Sequence, residues 1–145
     1  FDAAAYLRRC GADPEIVRSL FSADFDTVKL KAELISRATI KDGVAMTDCG
    51  HLEENATMMA AQLADLLISI NDVNVSFTFY ELAENVIGVS ARSKGLVNVQ
   101  RVMELLGGGG HSNVAGAQLK GVTSAEAQAA VWKALKEITV EKETE

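Results

Sequence analysis

Cysteine is scarce in this sequence: Cys10 and Cys49 are the only two, with no C-x-x-C motif and no histidine at ligand spacing. That spacing argues against a disulfide framework and a structural zinc site, and the pair reads as two reduced cytosolic thiols. Also missing is any window of about 18 uninterrupted apolar residues, and any basic start followed by an apolar signal core. The segment is therefore expected to have no direct membrane contact and no export signal of its own. That places it in the cytoplasm, and a membrane anchor elsewhere in a longer parent is compatible with this. Cationic charge is short as well: 14 Lys and Arg face 20 Asp and Glu, a net charge of −6. Coating a long nucleic acid by general attraction normally needs a basic face, so that class is disfavoured. A small local anion pocket is not. No initiator Met opens the chain, so it reads as a piece of a longer polypeptide.

What is present is a globular composition, 48% apolar and 23% charged, over one domain's length. Residues 1–38 read as a helical linker. It comprises a helix over 2–10, a break at Gly11, a second helix started by Asp13-Pro14 and carrying Leu20 and Phe21, and a third capped by Asp24 or Asp26. The third is expected to reach about Ala38, with Phe25, Val28, Ala32 and Ile35 on one face. Asp42-Gly43 reads as a turn before a strand over 44–47. Residues 55–70 carry Asn55, Gln62, Asp65 and Ser69 in one narrow polar stripe, the pattern of a helix buried on most sides.

In "VNVSFTFY", Val73, Val75, Phe77 and Phe79 alternate with Asn74, Ser76, Thr78 and Tyr80, the pattern of a half-buried strand. After a short loop, "VIGVSAR" reads as its hairpin partner. Asn98 caps a short helix to Leu106, and a strand over 115–120 follows four glycines. Thr123 to Glu126 forms a T-x-x-E capping box for a last helix, whose apolar stripe is Ala127, Ala130, Val131, Ala134, Leu135 and Ile138. Residues 141–145 read as a frayed tail. The order predicts an α/β fold, a mixed β-sheet of about four to five strands flanked by helices over 39–140, preceded by the helical linker. The extended strand pair offers an edge at which a second copy could form a homodimer.

One stretch, "LLGGGGHSNVAGAQL" at 105–119, is not ordinary packing. Glycine loses the most backbone freedom on folding, so Gly107, Gly108, Gly109 and Gly110 in succession are costly unless a bare backbone is needed there. A P-loop is excluded because no Lys-Ser or Lys-Thr follows. A dinucleotide fingerprint is excluded because the order is helix, glycines, strand, so no helix N-terminus follows to receive an anion. A left-handed C-cap at Gly107 accounts for one glycine or two. The others suit a backbone that passes close to a ligand, with consecutive N–H groups forming an anion-binding concavity beside His111.

The strand over 87–92 points to the same place. Ile87, Val89 and Ala91 share one face, and Gly88, Ser90 and Arg92 share the other. The second face has almost no bulk until it reaches a guanidinium, which suits a planar or phosphorylated ligand. An exposed face ending in a solvated Arg gives the same pattern. Ser93 and Lys94 extend the polar rim. Asn113 suits a base or sugar edge, or an Asx-turn, with Ala115, Gly116 and Ala117 keeping bulk low beside it. His51 reads as a loop histidine. Asp48, Glu53 and Glu54 read as a solvated acidic turn rather than a metal site.

The run "ARSKGLVNVQRVMELLGGGGHSNVAG" resembles the C-terminal DHH-associated domain of the DHH phosphoesterase family, whose hallmark is G-G-G-G-H followed by a small-residue strand. Arg92-Ser93 take the place of the R-S pair that closes the preceding strand, and Asn98-Val99 that of the "NV" opening the helix. The resemblance covers roughly residues 40–138 and is strongest to bacterial cyclic-di-AMP phosphodiesterases. Short oligoribonucleases that hydrolyse pApA are close behind. It implies a division of labour in a phosphodiesterase, a hydrolase. An N-terminal DHH domain of the same polypeptide holds two manganese ions and activates water. The associated domain binds the substrate, a cyclic dinucleotide or short oligonucleotide. By motif match, the substrate-binding residues are Gly107, Gly108, Gly109, Gly110, His111 and Arg92, with Ser93 and Asn113 beside them. No D-H-H sequence and no other metal ligand of the family occurs in these residues. The segment alone is therefore expected to hold no cofactor and to hydrolyse nothing. A second reading is an RNA- or tRNA-binding module related to the C-terminal domain of alanyl-tRNA synthetase, disfavoured by the net acidity and the His after four glycines. A third is a plain α/β interaction domain with a flexible loop.

Overall fold

In the computed structural model, Gly11 and residues 24–144 are described, with side chains to Thr139. The expected helices over 2–10 and from Asp13-Pro14, and Cys10, lie outside the described residues. The chain divides into two compact units, residues 1–32 and 33–145. The described part of the first unit is Gly11 and the opening turns of α1 (Phe25–Ser36), where the Val28 amide donates to the Asp24 carbonyl at 3.0 Å. The second unit holds the end of α1, whose buried residue is Leu34, and then β1 (Thr39–Lys41), β2 (Val44–Gly50), α2 (Ala56–Ile68), β3 (Val75–Ala83) and β4 (Val86–Ser93). It continues with α3 (Val99–Leu105), β5 (Gly109–Gly110), β6 (Val114–Lys120) and α4 (Ser124–Thr144).

The six strands form one mixed sheet in the order β1-β2-β3-β4-β6-β5. Only β2 and β3, joined through α2, run parallel; the other neighbours are antiparallel. Two of the six, β1 and β5, are not among the four strands located in the sequence. Asp42 and Gly43 both have positive φ, 53° and 77°, which makes a two-residue hairpin turn and turns the residues before it into β1. The second extra strand lies within the glycine run. The β3–β4 pair is central, so it has no free edge at which a second copy could pair; the sheet's edges are β1 and β5.

One face of the sheet carries α3 and α4. Phe77, Phe79, Val89 and Ala91 point that way and pack with Val102, Met103, Val131 and Leu135. The capping box of α4 forms as expected: the Glu126 amide donates to Thr123 Oγ1 at 3.1 Å, and the Thr123 amide to Glu126 Oε1 at 3.3 Å. The helix runs from Ser124 to Thr144, in keeping with the strong helix formers Glu141, Lys142 and Glu143.

The other face carries α2, and here two expectations fail. β3 is buried on both faces, not half-buried. Its polar residues are short hydroxyls that donate into the covering helix: Ser76 Oγ to the Ala64 carbonyl and Thr78 Oγ1 to the Ala60 carbonyl, both at 2.8 Å. Buried hydroxyls with partners cost little. The helix α2, conversely, is less buried than its narrow polar stripe suggested. It lies on a sheet and so covers only one side, burying Ala60, Leu63, Ala64 and Leu67 while Met58 and Leu66 stay exposed.

Cys49 on β2 is buried, and burial, aided by the Asp48 carboxylate and opposed by Arg37, pushes its thiol up to about 12. The group therefore stays protonated at neutral pH and is a packing residue. No helix among the described residues is long and apolar enough to cross a membrane. Asn98 caps α3 as read, its side chain accepting from the Arg101 amide at 3.3 Å. Because α3 leads into the glycines, Asn98→Ala is expected to cost about 1 kcal/mol of stability, measured by denaturant titration.

Candidate functional site

The glycine run divides into two structures. Gly107 has φ +82° and ends α3: its amide donates to the Glu104 carbonyl at 3.1 Å and the Gly108 amide to the Met103 carbonyl at 2.8 Å. These are the two crossed bonds of a Schellman cap. Gly109 and Gly110 then form β5, paired with Gly116 and Ala115 of β6. The next amide, of His111, donates to the Val114 carbonyl at 2.7 Å. The expected concavity of consecutive free amides is thus not formed, because the amides of Gly107, Gly108 and His111 are already spent within the fold. What the run supplies instead is a bare edge strand, which turns alternate backbone groups away from its neighbour.

Fold packing explains some of these glycines but not all. A Cβ on Gly108 would collide with the Gly116 carbonyl oxygen and lie 2.7 Å from Ala117 Cα. One on Gly110 would lie 2.5 Å from the Val114 carbonyl oxygen. A Cβ on Gly109 would meet nothing within 4 Å.

Beside this edge lies an open cavity of about 470 Å³. Its floor is the α2 side of β4 and β6, where Ser90 pairs with Gly116 and Gln118 follows on β6. Thr57 and Tyr80 wall it on the α2 side, Gly107 and Gly108 on the other, and Lys120 stands at one end. The small face read from the sequence is therefore a real floor, in the region of the sheet that α2 leaves uncovered.

Arg92 sits on the same face, two residues beyond Ser90 and paired across the sheet with Val114. Two strand spacings, roughly 10 Å, separate β4 from β5. Arg92 is not the solvated Arg of the alternative reading. Its side chain is 14% exposed, its Nε lies 2.7 Å from Asp65 Oδ1, and its Nη1 donates to the Ala91 carbonyl at 2.9 Å. Ser93 falls on the opposite, core face, and its hydroxyl accepts from the Gly95 amide at 3.0 Å, so it shapes a turn rather than the rim. Lys94 likewise turns back, donating to the Ile70 carbonyl at 3.0 Å. Asn113 and His111 are exposed on the loop between β5 and β6. That loop is pinned by the Ser93 amide on the Asn113 carbonyl and the Val99 amide on the Ser112 carbonyl, both 3.0 Å.

The fold thus brings Arg92, Gly109, Gly110, His111 and Asn113 to one end of the sheet. None of these five lines the cavity, which extends toward the other end of β6, where Lys120 pairs with Val86; its lining adds Thr57, Tyr80, Gln118 and Lys120, which sequence reasoning missed. Gln118 and Lys120 could have been found from the period of two that sets them on the face of Gly116; Thr57 could not, since it belongs to the wall only through the packing of α2.

A roomier cavity, about 750 Å³, lies among the loop after β2, the β3–β4 turn and the start of α4. Asp48, Glu53, Glu81 and Glu84 line it against the single His51, whose Nδ1 is 3.5 Å from Glu81 Oε2. That lining repels phosphate, so volume does not decide the site. Among the described residues, no three His, Cys, Asp or Glu side chains are grouped to hold a metal ion. A manganese pair does not fit these residues.

With this geometry in hand, residues 26–141 match the family model described as the DHHA1 domain. The chain is 44% identical over 129 residues to the cyclic-di-AMP phosphodiesterase PdeA of Listeria monocytogenes, covering 88% of this chain and 20% of the relative. It spans about a fifth of the length of the phosphodiesterases it matches. Among solved structures, an exopolyphosphatase-related protein from Bacteroides fragilis superposes with a TM-score of 0.74 at 22% identity, over 92% of this chain and 41% of the other. The C-Ala domain of Aquifex aeolicus alanyl-tRNA synthetase superposes with a TM-score of 0.53 at 22% identity, over 68% and 96%. At these identities the two superpositions speak for the fold.

Proposed function

Because the chain belongs to the DHHA1 domain family, we propose that it is the substrate-binding part of a phosphodiesterase, gripping a nucleotide phosphate of a cyclic dinucleotide or a short oligonucleotide such as pApA. The observation that carries this reading is the open cavity over the small-residue floor, bordered by Gly107 and Gly108, with Arg92 on the same face of the sheet beyond it. A bare backbone lets a phosphate approach closely, Arg92 supplies donors and positive charge, and His111 supplies a ring N–H donor. The floor at Ser90 and Gly116 takes the flat face of a base. Hydrolysis belongs to a DHH domain outside these residues, where two manganese ions supply a metal-activated water. This chain's own task is to hold and orient the phosphate.

Calorimetric titration of the whole polypeptide that carries this chain with cyclic-di-AMP, pApA and a short oligoribonucleotide tests it. At least one is expected to bind, with Arg92→Ala and His111→Ala each weakening it about tenfold or more, the size of a lost charge-assisted hydrogen bond. If none of the three binds, or both variants bind like the wild type, the reading is wrong. A related fold occurs in the tRNA synthetase domain, so tRNA belongs among the titrants. Tight tRNA binding that ignores His111→Ala would replace this proposal.

A further inference from the structure

The hydrogen bonds around Arg92 define a second role, which rests on the nucleotide-phosphate reading above. We propose that Asp65 on α2 is a positioning residue: it fixes the guanidinium of Arg92 so that Nη2 faces a phosphate oxygen of the ligand.

Of the three guanidinium nitrogens, two are tied. Nε is held by Asp65 at 2.7 Å and Nη1 by the Ala91 carbonyl at 2.9 Å. Two bonds to one planar group, from a helix on one side and its own strand on the other, fix the plane. Nη2 has no partner among the described residues, and no unpaired polar atom there is sealed from solvent. It is therefore the nitrogen left to donate outward, on the face of the sheet whose neighbouring positions Ser90 and Gly116 floor the cavity.

Asp65 has two opposed effects on an anionic ligand. Its negative charge competes with the ligand for Arg92, and its hydrogen bond prepays the ordering of a long side chain. The carboxylate is 62% exposed, so water screens its charge strongly. The ordering term has no such screening, because an untethered Arg loses most of its rotamer freedom when a ligand captures it. Positioning therefore outweighs competition. The same helix walls the cavity at Thr57, so one rigid element sets both the wall and the guanidinium.

The test uses the whole polypeptide, titrated with pApA and cyclic-di-AMP and melted in parallel. Asp65→Ala is expected to weaken binding about tenfold, within the range for a side chain that must be immobilised on binding. The melting temperature should change little, since the pair is largely solvated at its Asp. Asp65→Glu should recover most of the affinity. In an Arg92→Ala background, Asp65→Ala should have no further effect. Unchanged or tighter binding by Asp65→Ala overturns the inference, as does an equal loss in both backgrounds. If Arg92→Ala loses affinity while Asp65→Ala does not, only the role of Asp65 falls. If Arg92→Ala itself binds like the wild type, the nucleotide-phosphate reading fails first.

Discussion

Gly108→Ala is expected to destabilise the protein by about 2–4 kcal/mol, while Gly109→Ala, one residue on, should leave stability almost unchanged and abolish most of the ligand affinity. The two glycines look alike in the sequence and have different reasons to exist. At Gly108 a methyl group would collide with the Gly116 carbonyl oxygen and press on Ala117 Cα at 2.7 Å. Both obstacles are backbone of β6, a strand held by β4 on its far side, so relief means moving a strand rather than turning a side chain. The shift would also strain the Schellman bonds that end α3.

At Gly109 a methyl group would stand in open space, with φ outside the left-handed region. Nothing within 4 Å of a Cβ requires glycine there, and the proposed function assigns the bare position to the ligand. A Cβ on that edge holds a phosphate about one carbon diameter further out, beyond hydrogen-bond reach. Thermal melts of both variants, with calorimetric titration of pApA into each, check the contrast. Wild-type affinity in Gly109→Ala would mean that the edge strand does not touch the ligand.

How much of this was legible follows from how far each feature reaches along the chain. The Asn98 cap, the Thr123–Glu126 box and the Asp42-Gly43 turn each involve residues at most three apart, and local chemistry was enough to read them. The burial of β3 was not legible, because alternation marks two unlike faces without saying whether the polar one is wet. Only α2, twelve to eighteen residues away, decides that by accepting from Ser76 and Thr78. The candidate site was legible as a set of residue types, namely Arg92, four glycines, His111 and a small-residue face. Its geometry was not: the spent amides depend on the register of β5 against β6, and the Asp65–Arg92 pair spans 27 positions.

Gly88 shows that even the correctly read small-residue face has two causes. Gly88→Ala is expected to cost about 1–3 kcal/mol, by overpacking, although the residue sits beside the cavity floor. Gly88 pairs with Tyr80 across β3 and β4, and a Cβ would collide with the ring at Cζ and lie 2.7 Å from its hydroxyl oxygen. The ring is only 5% exposed, and its hydroxyl donates to Thr57 Oγ1 at 3.3 Å. It has nowhere to go except up against α2 or into the cavity that it and Thr57 wall. Stability and ligand binding should therefore fall together in this variant. In a Tyr80→Ala background the obstacle is gone, and Gly88→Ala should then cost less than about 0.5 kcal/mol, a coupling well within the range for residues in contact. An equal cost in both backgrounds, measured by denaturant titration, would show that something other than the ring demands the glycine. The space above Gly88 is filled by the protein's own aromatic ring. The floor that the proposed function offers to a base therefore narrows to Ser90 and Gly116, the two positions nearest Arg92 and the glycine edge.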